Sequence, residues 1–166
     1  MLTKVNNRRA FDQEIIKELS RASRHKTPLS CLFIDLDFFK LVNDNFGHQI
    51  GDKVLQAVGT LLKKNLRKTD FIARYGGEEF AILLPNCDSA KAMEIGNQLR
   101  QKILHMVIHD NECKPFRISA SIGVTSCTAE SFAFDDLDAQ AHTLLKAADE
   151  AVYQAKDKGR NRIEYR

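Results

Sequence analysis

The chain has no tryptophan, only three prolines and no long apolar run. Its longest apolar stretches, such as Phe80-Ala81-Ile82-Leu83-Leu84, fall far short of the ~20 residues that a membrane-spanning helix needs. Met1 leads directly into polar residues, so no secretory leader is expected. The four cysteines (Cys31, Cys87, Cys113, Cys127) are scattered, without the C-x-x-C pairs that mark zinc or redox sites. Cys31 and Cys127 lie in apolar runs, where a thiol acts as a small hydrophobe, so reduced cysteines in a cytoplasmic protein are expected. An excess of one charge is lacking too: 25 Lys+Arg against 22 Asp+Glu leave +3, too little to indicate nucleic-acid binding. What is present is an ordinary globular composition. The 166 residues are 43% hydrophobic and 28% charged with mean hydropathy −0.34, enough apolar content for one self-sufficient core. No repeat, low-complexity tract or linker divides the chain.

Hydrophobic periodicity sets the expected elements. Phe11, Ile15 and Leu19 recur at helical spacing, with Ile16 and Ala22 widening the stripe, which predicts a helix over 8–25, ended by Thr27-Pro28. Residues 29–37 (LSCLFIDLD) read as a buried strand, 38–45 as a short helix closed by Gly47, and 49–67 as a long amphipathic helix. Strands are expected over 71–74 and 79–84, joined by a hairpin turn at the paired glycines Gly76 and Gly77. A helix over 89–106, a strand over 116–126, a loop over 127–136, a helix over 137–158 and a strand over 162–165 complete the chain. Around residues 29–126 the order is β-α-β-β-α-β, the split βαβ pattern, so an α+β fold is expected.

Acidic residues gather where apolar strands end. Asp35 and Asp37 finish a strand that must otherwise be buried, and an unpaired buried carboxylate is costly. Glu78 and Glu79 follow the two glycines. If the strand over 29–37 lies beside the hairpin, Asp35 and Glu78 converge at one edge of the sheet. Carboxylates so placed suit a small hard cation, with phosphate oxygens and water completing an octahedron. Solvated acids at strand ends are the plainer reading of any one of them. Lys40 stands at a helix start, where free backbone N–H groups and an ammonium favour phosphate. Lys156 and Arg160 bracket a glycine at the end of the last helix, a basic helix end that the macrodipole alone would favour. Asn43 offers an amide to a base edge. Asp52 offers a carboxylate matched to the paired N–H donors of guanine, which adenine lacks.

Gly76-Gly77-Glu78-Glu79-Phe80 resembles the signature of the GGDEF domain family, the diguanylate cyclases, in its GGEEF form. The resemblance extends along the chain. Leu2-Thr3 with Asn7-Arg8-Arg9, Asp35-Leu36-Asp37-Phe38-Phe39-Lys40, Asn43-Asp44-Asn45-Phe46-Gly47-His48 with Gly51-Asp52, and 119–124 are similar to its other blocks, as are Ala148-Asp149 through Gly159-Arg160-Asn161-Arg162. It implies one domain over 1–166, cut from a longer signalling protein. The expected core is a mixed, largely antiparallel sheet of ferredoxin-like, nucleotidyl-cyclase or palm type, surrounded by helices. It further implies condensation of two GTP into cyclic di-GMP by a cytoplasmic homodimer with Mg²⁺ or Mn²⁺. Asp35, the Leu36 carbonyl and Glu78 would hold the metal, with Glu79 on a second metal or near the attacking hydroxyl. Phe38, Phe39, Lys40, Lys156 and Arg160 would hold phosphates, and Asn43 and Asp52 would read guanine.

Arg67-Lys68-Thr69-Asp70 matches the family's RxxD product-inhibition site, ahead of Gly76 as expected. Three departures stand out. Lys4-Val5-Asn6 replaces the usual Gly-Leu-Pro, no acidic residue precedes Leu2, and Gln98 occupies the place of a second inhibitory arginine, with Arg100 close by. The alternative is a silent domain that only binds cyclic di-GMP at Arg67 and Asp70. A cyclase of mixed nucleotides is disfavoured by Asp52.

Overall fold

The computed structural model of the protein describes residues 2–128 and 136–166. A six-stranded sheet is built from β1 (Asn6–Asn7), β3 (Phe71–Arg74), β4 (Glu79–Pro85), β2 (Leu29–Leu36), β7 (Ala120–Cys127) and β8 (Ile163–Tyr165), in that spatial order. Its two outer pairs, β1 with β3 and β7 with β8, are parallel, and the inner pairs are antiparallel. This is the expected mixed sheet. Central β2 is buried at all eight positions, which is why its sequence is almost continuously apolar.

Alternation along the strands makes two cores. Leu32, Ile34, Phe80, Ile82, Ile122 and Val124 face α3 (His48–Asn65) and α4 (Ser89–His105), together with the short α2 (Phe39–Phe46). Cys31, Phe33, Ala81 and Leu83 face α1 (Arg8–His25) and α5 (Leu137–Asp157). Three helices start on side-chain caps: Asn7, Asp88 and Asp136 accept from Ala10, Lys91 and Ala139 N–H groups at 2.8–2.9 Å. α1 stops at Lys26 in the left-handed conformation (φ 55°), just before Pro28.

The structure departs from the sequence expectation in three places. The strand expected over 116–126 is split. Phe116 leaves the main sheet to stack on Phe46 of α2, ring centroids 4.8 Å apart, and β6 (Pro115–Phe116) pairs instead with β5 (Ile108–His109). The edge strand β1 carried no period long enough to read. Neither glycine of the hairpin has positive φ, so no primed two-residue turn forms; Tyr75 and Gly76 N–H both point to the Glu79 carbonyl, at 2.8 and 3.4 Å. The expected loop over 127–136 begins after Cys127 and otherwise lies largely outside the described residues.

α5 lies close on the sheet because β7 has no side chain at Gly123. A Cβ there would collide with the Ala148 carbonyl and the Val152 amide of α5, which are backbone atoms. Gly123→Ala is expected to cost about 1–3 kcal/mol. Gly77→Ala, whose Cβ meets nothing within 4 Å, should change stability by less than ~0.5 kcal/mol. Urea denaturation of the two variants compares them; equal midpoints would contradict this account of the α5–β7 contact.

Candidate active site

β2 delivers Asp35 to the α1/α5 side of the sheet, where its side chain is buried and meets Lys156 of α5, Nζ to Oδ2 2.7 Å. Burial pushes the Asp35 carboxyl above the ordinary carboxylate range; Lys156 opposes the rise, while the charges of Glu78 and Asp37 add to it. The strand register sets Glu79, not Glu78, opposite Asp35, so these two side chains share a face. Glu78 is one step beyond β4, and its carbonyl accepts the Leu36 N–H at 3.4 Å. Glu79, not Glu78, is therefore the cross-strand neighbour of Asp35, and Glu78 acts on Asp35 through its charge.

The hairpin tip is shaped by its neighbours. The Glu79 carboxylate folds back onto Gly76, in space that a Cβ at residue 76 would occupy. A side chain at residue 76 would have to displace that carboxylate. Arg74 grips the tip from β3: its Nε reaches the Gly76 and Gly77 carbonyls at 3.2 and 3.0 Å, and Nη2 reaches Gly77 at 2.7 Å. Burial is the main cause that raises the Glu79 carboxyl, followed by the charges of Asp35, Asp149 and Glu78, with Lys156 pulling the other way.

Asp37 is buried and committed to the fold. It accepts from Ser119 Oγ (2.6 Å), Ser121 Oγ (2.7 Å) and the Asn161 N–H (3.0 Å). Next to it Phe38 takes a left-handed conformation (φ 57°) and opens α2 without a side-chain cap, leaving first-turn N–H groups without that partner. The Phe38 ring is exposed, Phe39 is buried, and Lys40 is exposed on the first turn. The Arg160 guanidinium lies 4.8 Å over the Phe38 ring. Arg160 thus comes to the α2 start as expected, whereas Lys156, expected at phosphate, is bonded to Asp35.

At the α2–α3 corner the Asn43 amide packs onto Gly51, in space a Cβ there would take, and the next residue, Asp52, is exposed. Arg67 and Asp70 form a closed turn below β3: the Asp70 carboxylate accepts the Arg67 N–H at 2.8 Å. Burial raises the Asp70 carboxyl, and Arg67 lowers it in part. The two line one cleft with Lys91, Gln98 and Lys102 of α4. Arg100 points away, to Asn161.

Among the described residues no three His, Cys, Asp or Glu side chains gather into a metal cluster. The donors on offer are two coupled carboxylates and a backbone carbonyl, all hard oxygens. Burial raises Asp35 and Glu79; the charge of Glu78 adds to both, and Asp149 adds to Glu79, against the ammonium of Lys156. A divalent cation suits that surplus, and Mg²⁺ or Mn²⁺ suits those donors. Sequence reasoning named Arg100 only for its closeness to Gln98, and Asp149 and the serine pair only within matched blocks, with no role for any of them; Arg74 it missed altogether. Arg74, directly before Tyr75-Gly76-Gly77, was the one with a local signal.

The raised Glu79 value fixes a sign. A carboxyl with a folded value above its unfolded one stabilises fully below about pH 4.3, and that contribution is lost as pH rises through the folded value. In chelator, Glu79→Gln is expected to melt higher than the parent at pH 7, with the gap closing towards pH 4. A gap that stays constant over that range would contradict the assignment.

The model for the family "Diguanylate cyclase, GGDEF domain" matches residues 1–162. The response regulator PleD of Caulobacter vibrioides is 40% identical over 165 residues, covering 98% of this chain and 34% of PleD, so the chain spans about a third of that relative. The GGDEF domain of DgcB from Caulobacter crescentus, solved with c-di-GMP, superposes with TM-score 0.90 at 29% identity, covering 99% of this chain and 90% of that one. The active GGEEF domain of a diguanylate cyclase from Vibrio cholerae gives TM-score 0.85 at 33% identity, covering 98% and 97%. With its acidic hairpin, its basic helix end and these likenesses, the chain belongs to the GGDEF family of diguanylate cyclases.

Proposed function

We propose that this domain condenses two GTP molecules into cyclic di-GMP as a homodimer, with its product inhibiting it at the RxxD turn. The observation that carries the reading is the surplus of carboxylates at Asp35, Glu78 and Glu79, beside an uncapped helix start and Arg160. In each condensation a 3′-hydroxyl oxygen bonds to an α-phosphorus, the bridge to the β-phosphate breaks, and pyrophosphate leaves with that electron pair. Asp35, the Leu36 carbonyl and Glu78 would hold a Mg²⁺ or Mn²⁺ ion, which would acidify the attacking hydroxyl and offset phosphate charge. Glu79 sits where it can take up the hydroxyl proton or hold a second ion.

The chain's own groups do the rest. The α2 N–H groups of Phe38 and Phe39, with Lys40 and Arg160, bind the β- and γ-phosphates. Lys156, bonded to Asp35, favours the charged form of that carboxylate and aims it, and reaches phosphate only by sharing its ammonium. Asn43 and Asp52 select guanine at the α2–α3 corner. One domain holds one GTP, so ring closure needs two domains facing each other. The alternative, a silent receptor, finds support in the RxxD cleft, which is built independently of the acidic hairpin.

Chromatographic product analysis after incubation with GTP and Mg²⁺, over a protein dilution series, tests the reading. Cyclic di-GMP should form at a specific rate that rises with protein concentration. No product at any concentration, with tight cyclic di-GMP binding, would leave the receptor. Glu78→Gln should reduce turnover by roughly 100-fold or more while leaving the urea midpoint in place. Arg67→Ala should spare turnover and raise the inhibitory cyclic di-GMP concentration by about 10- to 100-fold, the loss expected for one charge-assisted contact.

A further inference from the structure

We infer that Arg100 of α4 is a positioning residue for the phosphate grip, acting on Arg160 through the turn at 159–161 without touching the nucleotide. The inference rests on the proposed assignment of Arg160 to phosphate. Three consecutive residues of that turn have left-handed backbone: Gly159 (φ 109°), Arg160 (φ 61°) and Asn161 (φ 45°). Only the first lacks a Cβ. Two side-chain-bearing residues hold such a conformation in succession only where the surroundings impose it.

The restraints are on three sides. The Arg160 N–H bonds back to the Ala155 carbonyl at 3.0 Å, which anchors the turn to α5. The Asn161 N–H bonds to Asp37 at 3.0 Å, and Asp37 is itself fixed by Ser119 and Ser121. Arg100 supplies the third: Nη1 donates to both the Asn161 carbonyl (3.0 Å) and its Oδ1 (2.9 Å). The guanidinium is aimed in advance, because Nε and Nη2 bond Asn97 Oδ1 one helical turn earlier, at 3.2 and 2.9 Å. With Asn161 held from both sides, the preceding residue has one direction to project. That direction lays the Arg160 guanidinium over Phe38 at the opening of α2.

The geometry also separates Arg100 from the inhibitory cleft, although the two are close in sequence. Leu99 and Gln98 line that cleft, and Arg100 leaves α4 on the other side. A lysine at 100 keeps charge and stem but loses the fork that spans the two Asn161 oxygens and Asn97.

Calorimetric titration with inorganic triphosphate in Mg²⁺ tests the inference on the parent, Arg100→Ala, Arg100→Lys, Arg160→Ala and the Arg100→Ala/Arg160→Ala double variant, with urea midpoints measured alongside. Arg100→Ala is expected to weaken triphosphate about 10-fold, and the double variant to bind no more weakly than Arg160→Ala alone. Arg100→Lys should remain several-fold weakened, and it carries the test should the alanine variant not fold. A purely structural arginine would lower the urea midpoint and leave triphosphate affinity unchanged, which overturns the inference. Additive losses in the double variant overturn it too, since Arg100 would then act independently of Arg160. A parent that does not bind triphosphate overturns the phosphate assignment itself, a failure distinct from a parent that binds while Arg100→Ala binds equally well.

Discussion

Charge at the end of a buried strand is the constraint on which the acidic end of this fold depends. β2 is covered on both faces along its whole length, yet it leads into Asp35 and, one residue past its end, Asp37. Neither carboxylate can stay in that position uncompensated. The two are compensated differently. Asp35 takes an ammonium from the far end of the chain, 121 residues away, and Asp37 takes two hydroxyls and a backbone N–H. One arrangement leaves an ion pair that a bound cation can reorganise. The other is a closed network that leaves no such freedom. The alternation of Asp-Leu-Asp thus places a responsive carboxylate and a fixed one within a single turn of chain.

The acidic hairpin follows the same division between fixed and adjustable parts. Its backbone is fixed by Arg74, which holds two consecutive carbonyls, and by the Tyr75 ring packed edge-on against Phe11 and Phe33, at 5.7 and 4.8 Å. Its two glutamates are half-buried and have few fixed partners. A rigid support carrying side chains with residual freedom suits a site that must accept and then release a charged ligand.

Much of this was legible in the sequence. The helices α1, α3, α4 and α5 followed from apolar spacing within a turn or so of their ends, and β2 from its unbroken apolar run, because these signals are local. The signature residues could be named for the same reason. What could not be read depends on register and on distant chain. That Glu79 rather than Glu78 stands opposite Asp35 is decided by pairing between strands 44 residues apart (79 − 35). That Lys156 meets Asp35 depends on where α5 ends over the sheet. The glycine pair was legible as a turn, but the folding of the Glu79 carboxylate back onto Gly76 exists only once the hairpin is made. Phe116 kept perfect alternation and still left the sheet, since an aromatic partner on α2 outweighed the ladder.

The missing side chain at residue 123 has a reach far beyond its own neighbourhood. With backbone touching backbone, α5 rests on β7 with no spacer between them, and the helix runs from that contact to its last turn as a rigid rod. The lysine near the tip is therefore held at a height above the sheet dictated by an atom that is not there. Thickening the midpoint of the rod by one methyl group would lift its tip, and the ammonium with it, off the acid it neutralises.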